Sequence, residues 1–348
     1  MRRGATLLVA SLVPLLAGCG TLRYYTQAVS GQLDLMRRAA PIEQRLRADS
    51  TPAALKSKLQ TVLRIRDFAS RELALPDNGS YRSYADLGRQ YVLWNVFAAP
   101  EFSIEPVSSC FVLVGCVSYR GYFSQADAEA EGTRLRAQGY DVYVGGVPAY
   151  STLGWFDDPV LSTFINYPEG ELARLLFHEL AHQIVFVKND TRFNESFATA
   201  VEQEGVERWL ARADDARTRA AYERSRAMRR EFLALILKYR SALERYYRQD
   251  LPADVKRRGK AQLFADMDRD YRELKASWGG FAGYDRWFAA KPNNATLASV
   301  ALYTDLVPAF RALLEREGGD LPRFYAAVKK LAPLPQDERD ARLRSILK

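Results

Sequence analysis

The chain has 348 residues, of which 48% are hydrophobic and 26% are charged, so it can bury a full core and is not disordered throughout. Its net charge of +8 would suit a nucleic-acid-binding protein. The arginines, however, alternate with Asp and Glu along predicted helices, as in residues 213–232, and this is typical of solvated helix faces. Together with the N-terminal segment, this pattern argues against a nucleic-acid partner.

The first residues have the pattern of an export signal. Two arginines precede an apolar run at residues 5–17, which is too short for a comfortable membrane span. The run ends in Leu16-Ala17-Gly18-Cys19, which resembles the lipobox of bacterial lipoproteins. The resemblance implies a signal peptide at 1–18 and a lipid on Cys19 that anchors the mature chain to a membrane. An ordinary signal peptide that is cut nearby is the alternative, and either signal exports the protein.

Gly20 follows the cysteine, and Gram-negative lipoproteins that lack Asp at this position usually move to the outer membrane. The resemblance therefore implies the periplasmic face of a Gram-negative membrane, with the outer membrane favoured. In an oxidising compartment, Cys110 and Cys116 are a plausible disulfide pair. The residues between them look like a strand, which would separate the two Cα atoms by about 20 Å. A disulfide therefore requires the chain to turn back, with Gly115 as the candidate position.

The predicted elements give an α+β chain that is predominantly helical, with a small sheet in its middle part. An N-terminal region (19–100) is predicted to contain a pair of helices over 28–73 and a short helix at 84–98. A core region (101–212) is rich in β-branched and aromatic residues bounded by Gly and Pro. Its predicted strands are 102–107, 110–119, 140–147 and 149–156, and a helix with a Ser N-cap and a Gly stop occupies 124–139. A last region (213–348) is predicted to be almost entirely helical.

Residues 177–186 read FHELAHQIVF and contain both of the chain's histidines, His178 and His182. Positions i and i+4 of a helix lie on one face, so the two imidazoles can bind one metal ion. Glu179 lies between them in sequence and can reach a water on that ion. This is the H-E-x-x-H arrangement of zinc metallopeptidases, with two ligands and a general base. The sequence therefore predicts one Zn²⁺ per chain on a helix at about 170–188.

A catalytic zinc site has three protein ligands and an open position, and the chain has no third histidine. The third ligand must therefore be Asp, Glu or a weaker donor. Glu195 is the candidate, because it begins the next predicted helix after a tight turn and can point back at the histidines. The substitutes are Glu202, Glu204 and Asp190.

HELAH followed by Asn194-Glu195 and Glu202 resembles the gluzincin arrangement and is most similar to the aminopeptidase N family. The spacing differs, because the 12 residues between His182 and Glu195 are several fewer than in that family. From the lipobox to residues 293–310, the chain is similar to a family of bacterial lipoproteins described as predicted aminopeptidases. These resemblances imply a zincin-like core at 101–212, built from a small mixed sheet, the motif helix and the Glu-bearing helix.

The chemistry of such a site assigns the remaining roles. A bound zinc lowers the pKa of a water toward 7 and polarises a peptide carbonyl, while Glu179 moves the proton from the water to the leaving amine. Asn194 and Glu202 are candidates to orient the ligand imidazoles, with a solvated helix charge as the alternative for Glu202. For the oxyanion, a tyrosine hydroxyl is the natural donor. Tyr303 is the candidate, since the family resemblance covers its stretch.

Enzymes of the thermolysin and aminopeptidase N kinds place an exposed edge strand before the motif helix, and peptides pair with that strand. The corresponding residues here are Tyr150, Ser151, Thr152, Leu153 and Gly154. The aminopeptidase N family has a Glu there to hold the free α-amine, and this stretch has none. Asp157 and Asp158 are nearby, but no sequence feature assigns them to the site.

The sequence thus predicts a membrane-anchored zinc peptidase that favours the removal of N-terminal residues from short peptides. A metallo-endopeptidase that processes envelope proteins is the second candidate, because the expected amine-binding Glu is missing. A non-catalytic lipoprotein adaptor with a structural or vestigial metal is the third. The intact Glu179 argues against that adaptor, as does the lack of an evident fourth ligand.

Overall fold

The computed structural model describes residues 23–111, 115–212, 216–301 and 306–347. The chain is an α+β protein in which helices predominate and the strands form small sheets, as the sequence predicts. Cys19 and Tyr303 lie outside the described residues. Within the described part of the chain, no helix is both long enough and apolar enough to cross a membrane.

The helices are α1 (23–38), α2 (Ile42–Arg47), α3 (Ala53–Leu73), α4 (Gln125–Ala137), α5 (Glu169–Ala181), α6 (Thr191–Arg212), α7 (Ala216–Tyr247), α8 (Ala253–Ser277), α9 (Asp285–Ala289), α10 (Asn294–Ala301), α11 (Val307–Arg316), α12 (Leu321–Leu331) and α13 (Gln336–Ser345). The strands are β1 (Ala40–Pro41), β2 (Ser83–Ala85), β3 (Leu93–Ala99), β4 (Ser109–Phe111), β5 (Gly115–Val117), β6 (Arg120–Tyr122), β7 (Asp141–Val147) and β8 (Val160–Leu161).

The central sheet has the strand order β6-β3-β7, and both pairings are antiparallel. Successive side chains of β3 point to opposite faces: Val96 and Ala98 pack with α4, whereas Phe97 and Ala99 pack with α10. Because both faces are buried, the strand is apolar on both faces apart from Asn95, and periodicity cannot distinguish such a segment from a buried helix. The helix predicted at 84–98 is therefore wrong, since β2 and β3 occupy that segment.

Helix α4 begins and ends where its capping residues predict. The Ser124 hydroxyl accepts a hydrogen bond from the Asp127 N–H at 3.2 Å, and Gly139 follows the helix with a left-handed φ of +86°. The strand predicted at 102–107 is wrong: the chain turns after Pro100, and Ile104 is buried in the core between α7 and α8.

The main core lies around α3, α5 and α6, with α11 and α12 covering the far side of α6. A glycine permits the closest approach between these helices. A Cβ added at Gly205 of α6 would lie 2.6 Å from the Phe177 ring of α5 and 2.7 Å from Leu73 of α3. This close packing sets the distance between α5 and α6, the two helices that carry the predicted metal ligands.

The predicted helical region after residue 213 is confirmed in α7, α8 and α10–α13. Helices α7 and α8 form a long pair that packs on α10 and closes one side of the central sheet. Lys260 of α8 bonds Asp141 of β7 at 2.6 Å, and the Asn294 side chain of α10 donates to the carbonyl of Glu101 at 2.9 Å. These contacts attach the helical region to the central sheet.

Candidate metal centre

Helix α5 carries both histidines in buried positions. The exposed fraction is 9% for His178 and 8% for His182, and the two Nε2 atoms lie 3.2 Å apart. The helix ends at Ala181, earlier than the predicted 188. His182 caps it but keeps helical angles (φ −59°, ψ −21°), so the one-turn spacing of HELAH is preserved.

The link between α5 and α6 is held by side chains of the second helix. Asn194 donates its amide to the Val187 carbonyl and accepts from the Val187 N–H, both at 2.8 Å. Asp190 caps α6 by accepting from the Phe193 N–H at 3.0 Å, and its other oxygen pairs with the buried Arg339 of α13 at 2.5 Å. Asn194 therefore fixes this link rather than orienting an imidazole, and that prediction is wrong.

Glu195 lies near the start of α6, immediately after Asn194. Its Oε2 atom is 3.2 Å from Nε2 of His178 and 3.7 Å from Nε2 of His182. One ligand atom from each of the three side chains lies within 4.8 Å of the others, a group that could hold a metal ion. Of the substitutes, Glu204 pairs with Arg208 and Arg311 instead.

Glu202 lies two turns further along α6, on the same face as Glu195, and contacts the other nitrogen of His178. Its Oε2 atom is 2.9 Å from Nδ1 of His178 and 3.0 Å from Nη1 of Arg174. A carboxylate only accepts hydrogen bonds, so Nδ1 carries the hydrogen. In the neutral ring, Nε2 then has a lone pair directed toward Glu195. Metal-ligating histidines commonly have this type of carboxylate partner.

A lone pair and a carboxylate that face each other require a positive charge, either a proton or a metal ion. Without a metal, burial alone would lower the pKa of His178, but its bonds to Glu195 and Glu202 outweigh burial and raise the pKa to about 10. Burial lowers the pKa of His182 to about 4, so this ring is neutral and offers a lone pair. Two imidazole nitrogens and one carboxylate oxygen are a donor set that suits Zn²⁺, so the residues present fit that ion.

Glu179 follows His178 on α5 and belongs to the same electrostatic environment. Burial raises the pKa of its carboxyl group to about 7; His178 opposes this rise, and the charges of Glu195 and Asp158 add to it. A carboxyl group that titrates near neutral pH can both accept and return a proton.

The family described as "Putative aminopeptidase" matches residues 23–343. The chain belongs to this family. The matched region contains the motif helix, both carboxylates of α6 and all of α7–α12. Comparisons with curated proteins and with solved structures give no match.

The predicted disulfide between Cys110 and Cys116 is present, in a hairpin beside the candidate metal centre. Strands β4 and β5 pair Cys110 with Cys116, and the two residues form a disulfide with Cα atoms 3.8 Å apart. Gly115, the first residue of β5, has a left-handed φ of +77°. The Cys116 N–H donates to the Asn189 side chain at 2.7 Å, so the hairpin contacts the link between α5 and α6.

The residues predicted to form an edge strand, Tyr150–Gly154, form no strand, and that prediction is wrong. Leu153 and Gly154 have left-handed φ angles of +58° and +81° and make a turn instead. The segment still lies at the end of α5, because a Cβ added at Gly154 would be 3.5 Å from the Gln183 side chain.

Three side chains that the sequence did not assign lie in the electrostatic environment of Glu179. Burial raises the pKa of the Tyr119 hydroxyl, and the charges of Glu195 and Glu179 raise it further. Burial and then the charge of Glu179 raise the pKa of the Tyr81 hydroxyl. The charge of Asp158 in turn raises the pKa of Glu179. No motif surrounds these residues, and they come from segments far from HELAH in sequence, so only the fold brings them together.

We expect Glu195→Ala to weaken zinc binding far more than Glu202→Gln does. Loss of an outer partner of a ligand usually costs about 10–100-fold in metal affinity, whereas Glu195 would be a ligand itself. Competition with a chromophoric chelator measures both affinities, with Glu204→Gln on the same helix as the control that should match wild type. If Glu202→Gln loses as much affinity as Glu195→Ala, or more, the third ligand has been assigned to the wrong carboxylate.

Proposed function

We propose that the protein is a lipid-anchored zinc aminopeptidase that removes N-terminal residues from short peptides. One observation carries the proposal: His178, His182 and Glu195 converge in a buried cluster, with Glu179 next to one of them in sequence. A purely structural zinc site would be closed by four protein ligands and would have no use for a general base. Membership of the aminopeptidase family supports peptides as the substrate class.

In this proposal, α5 and α6 correspond to the two ligand-bearing helices of a zincin-like core. HELAH on α5 and Glu195 at the start of α6 support that correspondence. So does Glu202, which lies two turns after Glu195 and bonds the outer nitrogen of His178 at 2.9 Å. The short link between the helices accounts for the reduced spacing, because Asn194 and Asp190 reverse the chain within a few residues.

When zinc is bound, it supplies Lewis acidity for the scissile carbonyl and acidifies a water molecule. The chain's own residues then handle the proton. Glu179 accepts it from the attacking water and donates it to the leaving amine, a role for which a pKa near 7 is suited. Glu202 keeps the His178 ring in the tautomer whose Nε2 is free to be a ligand, and Arg174 balances the charge of Glu202.

A membrane anchor is the second part of the proposal. Its support is the lipobox-like sequence that ends in Cys19 and the basic and apolar residues that precede it. A lipid on Cys19 would anchor the folded chain to the periplasmic surface of the membrane. The small peptides present in that compartment are then the accessible substrates.

Glu179→Gln should abolish hydrolysis while zinc content and fold are retained, because the amide has the shape of the base but cannot accept the proton. The expected loss in kcat is about 100–10,000-fold, the usual contribution of a general base. Release of amino acids from a set of short peptides is the assay, and metal analysis and circular dichroism accompany it.

The matched control for this variant is Glu169→Gln. Glu169 lies in the first turn of the same helix and bonds the Trp209 indole at 3.1 Å, an acceptor role that glutamine retains. This control should hydrolyse peptides at the wild-type rate. An active Glu179→Gln protein, or equal losses in the two variants, would contradict the assigned base.

Cys19→Ser should prevent acylation and release the chain from membranes. Mass spectrometry of the mature N-terminus and fractionation after a high-salt wash measure the two effects, and salt removes chains that are held only by charge. A Cys19→Ser protein that stays with membranes after the wash would argue for a different anchor.

A further inference from the structure

Asp158 is a buried carboxylate for which the described residues provide no cation. Its exposed fraction is 4%, and its two oxygens accept hydrogen bonds from the N–H and the hydroxyl of Thr152, each at 2.8 Å. None of the ion pairs among the described residues includes it. Burial raises the pKa of this carboxyl group to about 6. A positively charged group that enters beside it would remove this electrostatic cost.

Tyr81 provides a second unsatisfied group at the same place. Its side chain is 1% exposed, and its hydroxyl has no hydrogen-bond partner among the described residues. Its N–H donates to the Asp158 carbonyl at 2.6 Å. Buried hydroxyls are normally paired, so one without a partner has a hydrogen-bonding capacity that a ligand atom can use. The loop before it is held in place by the buried Arg66, which donates to the Ser80 carbonyl at 2.8 Å.

The loops that carry both residues pack just after the end of the motif helix. Gln183, next to His182, accepts from Asn78 at 2.7 Å and donates to Ser80 at 3.2 Å, so the loop that leads to Tyr81 packs on this end. The turn at Gly154, which leads to Asp158, contacts the same glutamine. After burial, Glu179 and then Asp158 are the charges that most raise the pKa of the Tyr81 hydroxyl. The two groups and Glu179 are therefore close enough for their charges to affect one another.

We propose that the Asp158 carboxylate and the Tyr81 hydroxyl bind the α-ammonium group of a peptide's first residue, which restricts the enzyme to free N-termini. The inference rests on the proposed peptidase function and deepens it. An ammonium group has three donors, and the carboxylate and the phenol oxygen are both acceptors. It would also be the missing cation for Asp158.

The first test compares hydrolysis of one peptide with a free N-terminus and the same peptide with an acetylated one. Acetylation removes the charge and leaves the scissile bond unchanged. In the wild type, it should lower kcat/KM on the order of 100-fold or more, because it leaves a buried carboxylate unpaired. Asp158→Asn should lower kcat/KM for the free peptide by a similar factor and leave the acetylated peptide unchanged. Tyr81→Phe should cause a smaller loss, about 5–10-fold, again for the free peptide only.

Asp157→Asn is the matched control, because Asp157 is the exposed neighbour of Asp158 and should behave as wild type. Tyr81→Phe guards against a folding defect, since it removes only a hydroxyl that has no hydrogen-bond partner in the part of the chain that the structure describes. If Asp158→Asn lowers kcat/KM equally for the free and the acetylated peptide, the carboxylate only holds the turn at Thr152. The proposal is then overturned. If the wild type cuts both peptides at the same rate, the enzyme is an endopeptidase and the amine site is wrong.

A binding measurement separates this proposal from the proposed function. Leucinol carries the ammonium group but no scissile bond, and N-acetylleucinol lacks the charge. Calorimetry on the zinc-loaded protein should show that acetylation and Asp158→Asn each weaken binding by a similar large factor, and that the two losses do not add. Additive losses, or no preference for leucinol, would overturn the amine site. Preference for leucinol in a protein that cuts no peptide would retain the site and refute the peptidase.

Discussion

The hydrogen bond between Nδ1 of His178 and Glu202, at 2.9 Å, sets the chemistry of the buried cluster. It fixes the tautomer of the ring and therefore directs the Nε2 lone pair toward Glu195. Glu202 in turn bonds Arg174, which also bonds Glu171, and Glu171 bonds Arg229 of α7 at 2.7 Å. The charges of the site are thus balanced through a chain of ion pairs that extends into the helical region after residue 216.

This hydrogen bond requires a fixed distance between α5 and α6 and a fixed position of α6 along its own axis. Gly205 sets the distance, because any Cβ there would meet Phe177. Asn194 and Asp190 set the position of α6 along its axis through the short link. The buried ion pair between Asp190 and Arg339 also holds the start of α6 to α13. Removing one partner of such a pair typically costs about 3–5 kcal/mol. The position of Glu195 therefore depends on residues far from it in sequence.

Features of the site that depend on local spacing could be predicted from the sequence. The one-turn spacing of His178 and His182 follows from helix geometry, and Glu195 could be chosen because the next helix starts just before it. The same holds for α4, whose caps are visible as Ser124 and Gly139. For the cysteines, the sequence supplied the condition that the chain must reverse, and the hairpin at Gly115 meets it.

Features that depend on long-range packing could not be predicted. Strand β3 is buried on both faces, so its apolar run looked helical, and the left-handed angles of Leu153 and Gly154 changed a strand-like stretch into a turn. An asparagine amide can orient a ligand imidazole, but the amide of Asn194 bonds the backbone of Val187 instead. Tyr81 and Asp158 lie in the electrostatic environment of Glu179 because two separate loops pack at Gln183.

The central claim is that His178, His182 and Glu195 hold one zinc ion, and X-ray absorption at the zinc edge of the purified protein tests it most directly. A site with two imidazoles and a carboxylate predicts a single shell of nitrogen and oxygen atoms at about 2.0–2.1 Å. Outer-shell scattering should correspond to two imidazole rings. A sulfur shell at about 2.3 Å, or scattering from fewer than two imidazoles, would contradict this ligand set.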